Sequence, residues 1–144
     1  MTTISQILRV KGGEIWSVTP DETVFNAIRL MAEKNVGALM VLEGDHMRGI
    51  VSERDYARKV ILKGKSSKDT HVREIMTSDI ITIRPDQSIE ECMGLMTMNH
   101  IRHLPVVENE KLLGMISIGD VVKAIISEKE FTINQLKNYI TGGR

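Results

Sequence analysis

The sequence predicts an α/β (α+β) fold: two tandem β-α-β-β-α units packed as one pseudo-symmetric module, plus a short C-terminal helix. Three observations carry this. The 144-residue chain aligns with itself without a gap at an offset of about 65 residues, the mark of a repeated structural unit. Within each copy the apolar residues switch between strand-like and helix-like spacing. One copy alone, at fewer than roughly 60 residues, would be marginal, and two copies stacking their sheets could bury one shared core.

The copies run from about residue 15 to 62 and from about 80 to 127. Pro20-Asp21 falls on Pro85-Asp86, Leu39 and Val41 on Leu104 and Val106, and Gly49 on Gly114. Ser52 and Asp55 fall on Ser117 and Asp120. Each copy opens with a β-prone stretch that runs up to a proline, Trp16 to Val18 and Ile80 to Ile83. A helix follows, Thr23 to Asn35 and Ser88 to Asn99. Its buried stripe is Val24, Ile28 and Met31 in one copy and Ile89, Met93 and Met96 in the other. Ser88 with Glu91 reads as a capping box. Two strands come next, Gly37 to Leu42 with Arg48 to Ser52, and His103 to Val107 with Leu113 to Ser117. Turn residues join them. The last helix is Glu53 to Lys63 in one copy and Ile118 to Glu128 in the other.

Residues 63–70 are polar and read as a linker. Past the second copy, Phe131, Ile133, Leu136 and Ile140 predict a short amphipathic helix, capped by Thr132 or Asn134 and ended by Gly142-Gly143. The resulting divisions are 8–64, 73–130 and a tail at 131–144.

Composition excludes several functions. Nineteen basic side chains balance nineteen acidic ones, and aromatics are 3% of the chain. Nucleic-acid binding by counterion release or base stacking is therefore not expected. No apolar run reaches the roughly 20 residues of a membrane span, so no membrane role is expected. The N-terminus shows no secretory pattern, and the lone Cys92 suits a reducing compartment. The expected location is cytoplasmic, or an organellar matrix if a transit peptide has been removed. Cys92 sits by a buried helical stripe and reads as an inert thiol. His100 and His103 lack a third ligand at metal spacing, so no metal is expected. No nucleophile with its base, no paired carboxylates and no Walker loop are present, so the chain is not expected to be an enzyme.

Gly49-Ile50-Val51-Ser52-Glu53-Arg54-Asp55 and Gly114-Met115-Ile116-Ser117-Ile118-Gly119-Asp120 open the last helix of each copy. Alone, Ser-x-x-Asp is a capping box. Two such heptapeptides at one spacing, with Ile101-Arg102-His103-Leu104-Pro105-Val106-Val107 and the lead-in Val72 to Thr77, resemble a tandem pair of CBS domains, a Bateman module. The run Ser52 to Lys59 and the C-terminal extension are similar to stand-alone two-copy members, including plant organellar proteins proposed to regulate thioredoxins.

The resemblance implies a regulatory module that binds an adenosyl ligand, AMP above all, or ADP, ATP, NAD or S-adenosylmethionine, and needs no metal. Chemistry agrees with it. A helix start offers free N–H groups and a positive dipole end to phosphate. Ser52 or Ser117 can donate to a phosphate oxygen, and Asp55 or Asp120 can accept the ribose hydroxyls. Arg54 adds a charged donor at the first site, where the second has Gly119. Arg102 and His103 stand at family positions that contact phosphate, and the first copy has Gly37 and Ala38 there. Adenine is expected between Trp16, Val36 and Met40 in the first site and Met76, Ile81, Ile101 and Pro105 in the second. The two sites should differ in affinity. The module is expected to form a homodimer through methionine-rich helix faces and to signal to an unknown regulated protein by ligand-dependent rearrangement. Two alternatives stay open: a ligand-free protein-interaction module that regulates a redox partner such as thioredoxin, and a nucleotide-processing enzyme.

Overall fold

The computed structural model describes residues 2–140. The elements, in chain order, are α1 (Ile4–Lys11), β1 (Ser17–Val18), α2 (Val24–Lys34), β2 (Ala38–Glu43), β3 (His46–Ser52) and α3 (Glu53–Tyr56). A π-helix (Ala57–Ile61) and a 3₁₀ turn (Val72–Glu74) follow. Then come α4 (Ile89–Asn99), β4 (His103–Glu108), β5 (Lys111–Ser117) and α5 (Ile118–Ile140). Two compact units result. One is Ile15–Ile81; the other joins the N-terminal segment through Glu14 to the chain from Thr82 onward.

In the unit Ile15–Ile81, β1 runs parallel to β2, and β2 pairs antiparallel with β3. Val24, Ala27 and Met31 of α2 pack with Leu39, Val41, Val51, Val60, Val72 and Ile75 in a closed apolar core. Thr23 caps α2, its hydroxyl accepting from Asn26 N–H. Asn35 ends the helix in the left-handed region at φ 54°.

The second unit repeats these devices about 65 residues later. Ser88 caps α4, and His100 ends it at φ 54°. β4 and β5 form the same hairpin, with a bulge between Val106 and Val107 where the first hairpin bulges between Val41 and Leu42. The strand expected over Ile80 to Ile83 is reduced to one parallel bridge, Ile83 to Val106. The cause is Pro105. In the first unit Met40 N–H donates to Trp16 carbonyl at 3.2 Å. Pro105 takes the place of Met40 and has no N–H to give. The bond that would extend the strand toward Ile81 is lost.

Three further departures from the expected elements are local. The last helix of the first copy begins as α3 and widens into a π-turn, with Leu62 N–H bonded to Ala57 carbonyl. The C-terminal helix is the continuation of α5, which runs unbroken for 23 residues. Thr132 does not cap it, because its hydroxyl bonds back to Glu128 carbonyl at 3.1 Å. Asn134 lies inside the same helix, and Gly142-Gly143 fall outside the described residues. Finally, α1 is a helix that the repeat does not announce. Thr3 and Gln6 close its capping box, and Ile4 and Ile7 are buried.

The lead-in of each copy packs on the unit of the other. Ile4 and Ser5 N–H groups donate to Gln87 and Pro85 carbonyls. Sixty-five residues earlier in the repeat, Glu22 and Pro20 carbonyls accept from Val72 and Arg73. The segment that precedes copy two therefore completes the fold of copy one, and the chain start completes copy two.

Candidate functional site

The Ser-x-x-Asp segments sit where an antiparallel hairpin turns into a helix. At the first, Ser52 caps α3: Asp55 N–H donates to Ser52 Oγ at 3.2 Å, and Ser52 N–H donates to Asp55 Oδ2 at 2.9 Å. The hydroxyl also reaches Asp55 Oδ2 at 3.1 Å. The second has the same geometry. Asp120 N–H donates to Ser117 Oγ at 3.2 Å, while Asp120 Oδ2 accepts Ser117 N–H at 2.8 Å and Ser117 Oγ at 2.9 Å. Both carboxylates are thus fixed in the first helical turn. Neighbouring carbonyls complete each junction, with Glu53 N–H on Gly37 and Ile118 N–H on Arg102.

Each aspartate also meets a lysine that the motif does not contain. Lys59 Nζ lies 3.1 Å from Asp55 Oδ1 and donates to Ile75 carbonyl at 2.8 Å. Lys11 Nζ, from α1, lies 2.7 Å from Asp120 Oδ2 and donates to Met115 carbonyl at 2.6 Å. Lys59 has a readable signal, since it follows Asp55 by four residues on one helix. Lys11 has none, because its partner is far away in sequence.

Burial pushes the Asp120 carboxyl up. The Lys11 ammonium and the Ser117 N–H and hydroxyl outweigh it and hold the group below its ordinary range. The carboxylate is ionised at neutral pH, which makes it an acceptor only.

The glycine that precedes each motif serves the fold. A Cβ at Gly49 would stand 2.7 Å from Thr77 carbonyl, the partner of Ile50 in an isolated bridge. At Gly114 it would meet Leu8 Cδ2 at 2.8 Å. Met115 aligns with Ile50, yet its carbonyl takes the Lys11 ammonium where Ile50 carbonyl takes Thr77 N–H.

The remaining candidates are placed as follows. Trp16, Val36, Gly37, Arg54, Met76, Ile81, Ile101 and His103 are half-buried. Lys34 Nζ stands 4.4 Å above the Trp16 ring. Ala38, Met40 and Pro105 are buried, so their side chains offer little or no surface to a ligand here. Arg102 and Gly119 are exposed. Met76, expected at the second site, packs against the core of Ile15–Ile81, the unit that holds Ser52 and Asp55. A Cβ at Gly119 would make only an ordinary contact with Ser117 Oγ at 3.6 Å, so sterics do not demand glycine there. Cys92 is fully buried, and burial pushes its thiol up to about 11. Among the described residues, no group of three His, Cys, Asp or Glu side chains is gathered as a metal site. No described helix is long and apolar enough to cross a membrane.

The CBS domain model matches residues 4–62 and 72–127. The chain belongs to the CBS-domain family. It is 43% identical over 152 aligned residues to the mitochondrial CBS domain-containing protein CBSX3 of Arabidopsis thaliana, covering 99% of this chain and 73% of that protein. A putative signal-transduction protein with CBS domains from Burkholderia ambifaria MC40-6 superposes with a TM-score of 0.85 at 53% identity. That match covers 88% of this chain and 95% of the other. The CBS domain pair of protein MJ0100, solved in complex with 5′-methylthioadenosine and S-adenosyl-L-methionine, shares the fold with a TM-score of 0.79. Its identity is 20%, covering 89% of this CBS pair and 98% of that chain.

Proposed function

We propose that this CBS pair is a non-enzymatic regulatory sensor for an adenine nucleotide. AMP is the leading ligand, with ADP, ATP, NAD and S-adenosylmethionine as relatives that share its adenosyl group. The observation that carries the reading is the paired Ser-x-x-Asp geometry. Each unit offers a helix start with a serine hydroxyl and a fixed carboxylate one turn on. Ribose hydroxyls donate to such a carboxylate, and phosphate is drawn to the positive dipole end of the helix start. The MJ0100 pair, which was solved with two adenosyl ligands, shows that the same fold can hold this class of molecule. Occupancy is passed to a partner protein by shifting the population of module conformations. The shift is limited by the ligand's differential affinity for them.

A thermal-shift panel of AMP, ADP, ATP, NAD, NADH and S-adenosylmethionine tests this, with Asp55→Asn and Asp120→Asn as controls. A ligand at about 100 times its Kd stabilises by roughly 2.7 kcal/mol. That is a rise on the order of 5–10 °C at this chain length. A rise with one ligand, abolished by one of the two variants, identifies ligand and site.

A flat panel with nucleotide-free protein favours a second reading, a module that works through its surface. One observation supports it: Ile126, Ile133, Leu136 and Ile140 of α5 are each more than half exposed. Such a face suits a second copy of the chain or the regulated partner.

A further inference from the structure

The two aspartates hold their lysines differently. Asp120 takes the Ser117 N–H, the Ser117 hydroxyl and the Lys11 ammonium all on Oδ2. Asp55 takes its serine contacts on Oδ2 and the Lys59 ammonium on Oδ1. A carboxylate has about four acceptor positions, two on each oxygen. An incoming ribose needs an oxygen that the capping box does not use. At Asp120 the lysine crowds the oxygen already engaged by the cap. At Asp55 the lysine stands on the other oxygen, the one a ribose would take. Lys59 is also anchored from behind by Ile75 carbonyl.

We propose that Lys59 masks Asp55, so that the Ser117–Asp120 box is filled first and the Ser52–Asp55 box opens only when Lys59 is displaced. This rests on the nucleotide reading above. The repeat supports it from another side: Lys59 aligns with Ala124, so the second copy has no lysine at the masking position. Lys11 reaches Asp120 from α1 instead, and it does so on the inner oxygen.

Isothermal titration with AMP tests the order of filling. The expected result is one tight event per chain, lost in Asp120→Asn and kept in Asp55→Asn. Lys59→Met should tighten the weaker site roughly two- to fivefold, the worth of one partly exposed ion pair, and leave the tight site unchanged. Lys59→Gln, which keeps a donor without the charge, guards against a folding defect in the methionine variant. A tight event lost in Asp55→Asn but kept in Asp120→Asn overturns the proposal, as does unaltered weak-site binding in both folded Lys59 variants. No AMP heat in any variant overturns the order of filling for AMP, and the nucleotide reading itself falls only if the thermal-shift panel is also flat. The mask is then decided without ligand by acetic anhydride labelling mapped by mass. Lys59 should react more slowly than Lys63 in the wild type and faster in Asp55→Asn than in the wild type, with the Ile75 carbonyl still holding it below Lys63. Equal reactivity of the two lysines in the wild type removes the mask.

Discussion

Lys11 and Asp120 are 109 residues apart in sequence and 2.7 Å apart in space. This contact ties the first helix of the chain to the first turn of the last. It also shows why Asp120 is ionised in a half-buried setting: an ammonium and a capping box together offset the cost of desolvation.

Removing the ammonium should therefore cost stability in a pH-dependent way. Lys11→Met is expected to lose about 1 kcal/mol at pH 7, because the pair is only partly shielded from water. The folded Asp120 carboxyl is held below its unfolded value of about 3.9. The stabilisation is thus fully present above that value and lost as pH falls through the folded one. Urea titrations at pH 7 and pH 2.5 should show a wild-type advantage that shrinks at the lower pH. An equal difference at both values would rule out the ion pair as its source.

The two motif glycines should respond unequally to alanine. At Gly49 the new methyl meets a backbone carbonyl that is locked in a bridge, so Gly49→Ala is expected to cost about 2–3 kcal/mol. At Gly114 it meets the end of the Leu8 side chain, which can turn away. Gly114→Ala should cost roughly 1 kcal/mol. Chemical denaturation of both variants ranks them, and the reverse order would refute the account.

The turn between β4 and β5 stores strain at a named residue. Asn109 and Glu110 both lie in the left-handed region, at φ 52° and 65°. Asparagine tolerates that conformation, whereas glutamate is disfavoured in it by about 1 kcal/mol. Glu110→Gly should raise stability by about 0.5 kcal/mol, after glycine's larger loss of chain entropy is subtracted. A lower melting temperature in the variant would contradict this.

Cys92 should behave as a reporter of unfolding. Its thiol is buried and pushed up to about 11, so at pH 8 it is neither accessible nor ionised. Ellman's reagent is expected to react at the rate of unfolding and to become immediate in 6 M guanidinium. Fast reaction of the native protein would place Cys92 nearer the surface than the packing of α4 allows.

Much of this protein was legible in the chain. The 65-residue repeat, the helical stripes of α2 and α4, and both Ser-x-x-Asp boxes follow from spacing, because local hydrogen bonding and one-sided burial set them. Thr3-x-x-Gln6 followed by Ile7 also carried a readable helix start at α1, which the repeat obscured. Tertiary structure decided which piece completes which unit. No local rule makes Ile4 donate to Gln87 or Val72 to Glu22, because these are non-local bonds between segments whose own propensities are silent about a partner. The same holds for charge. Sequence spacing could pair Lys59 with Asp55 along one helix, but only the docking of α1 could bring Lys11 to Asp120.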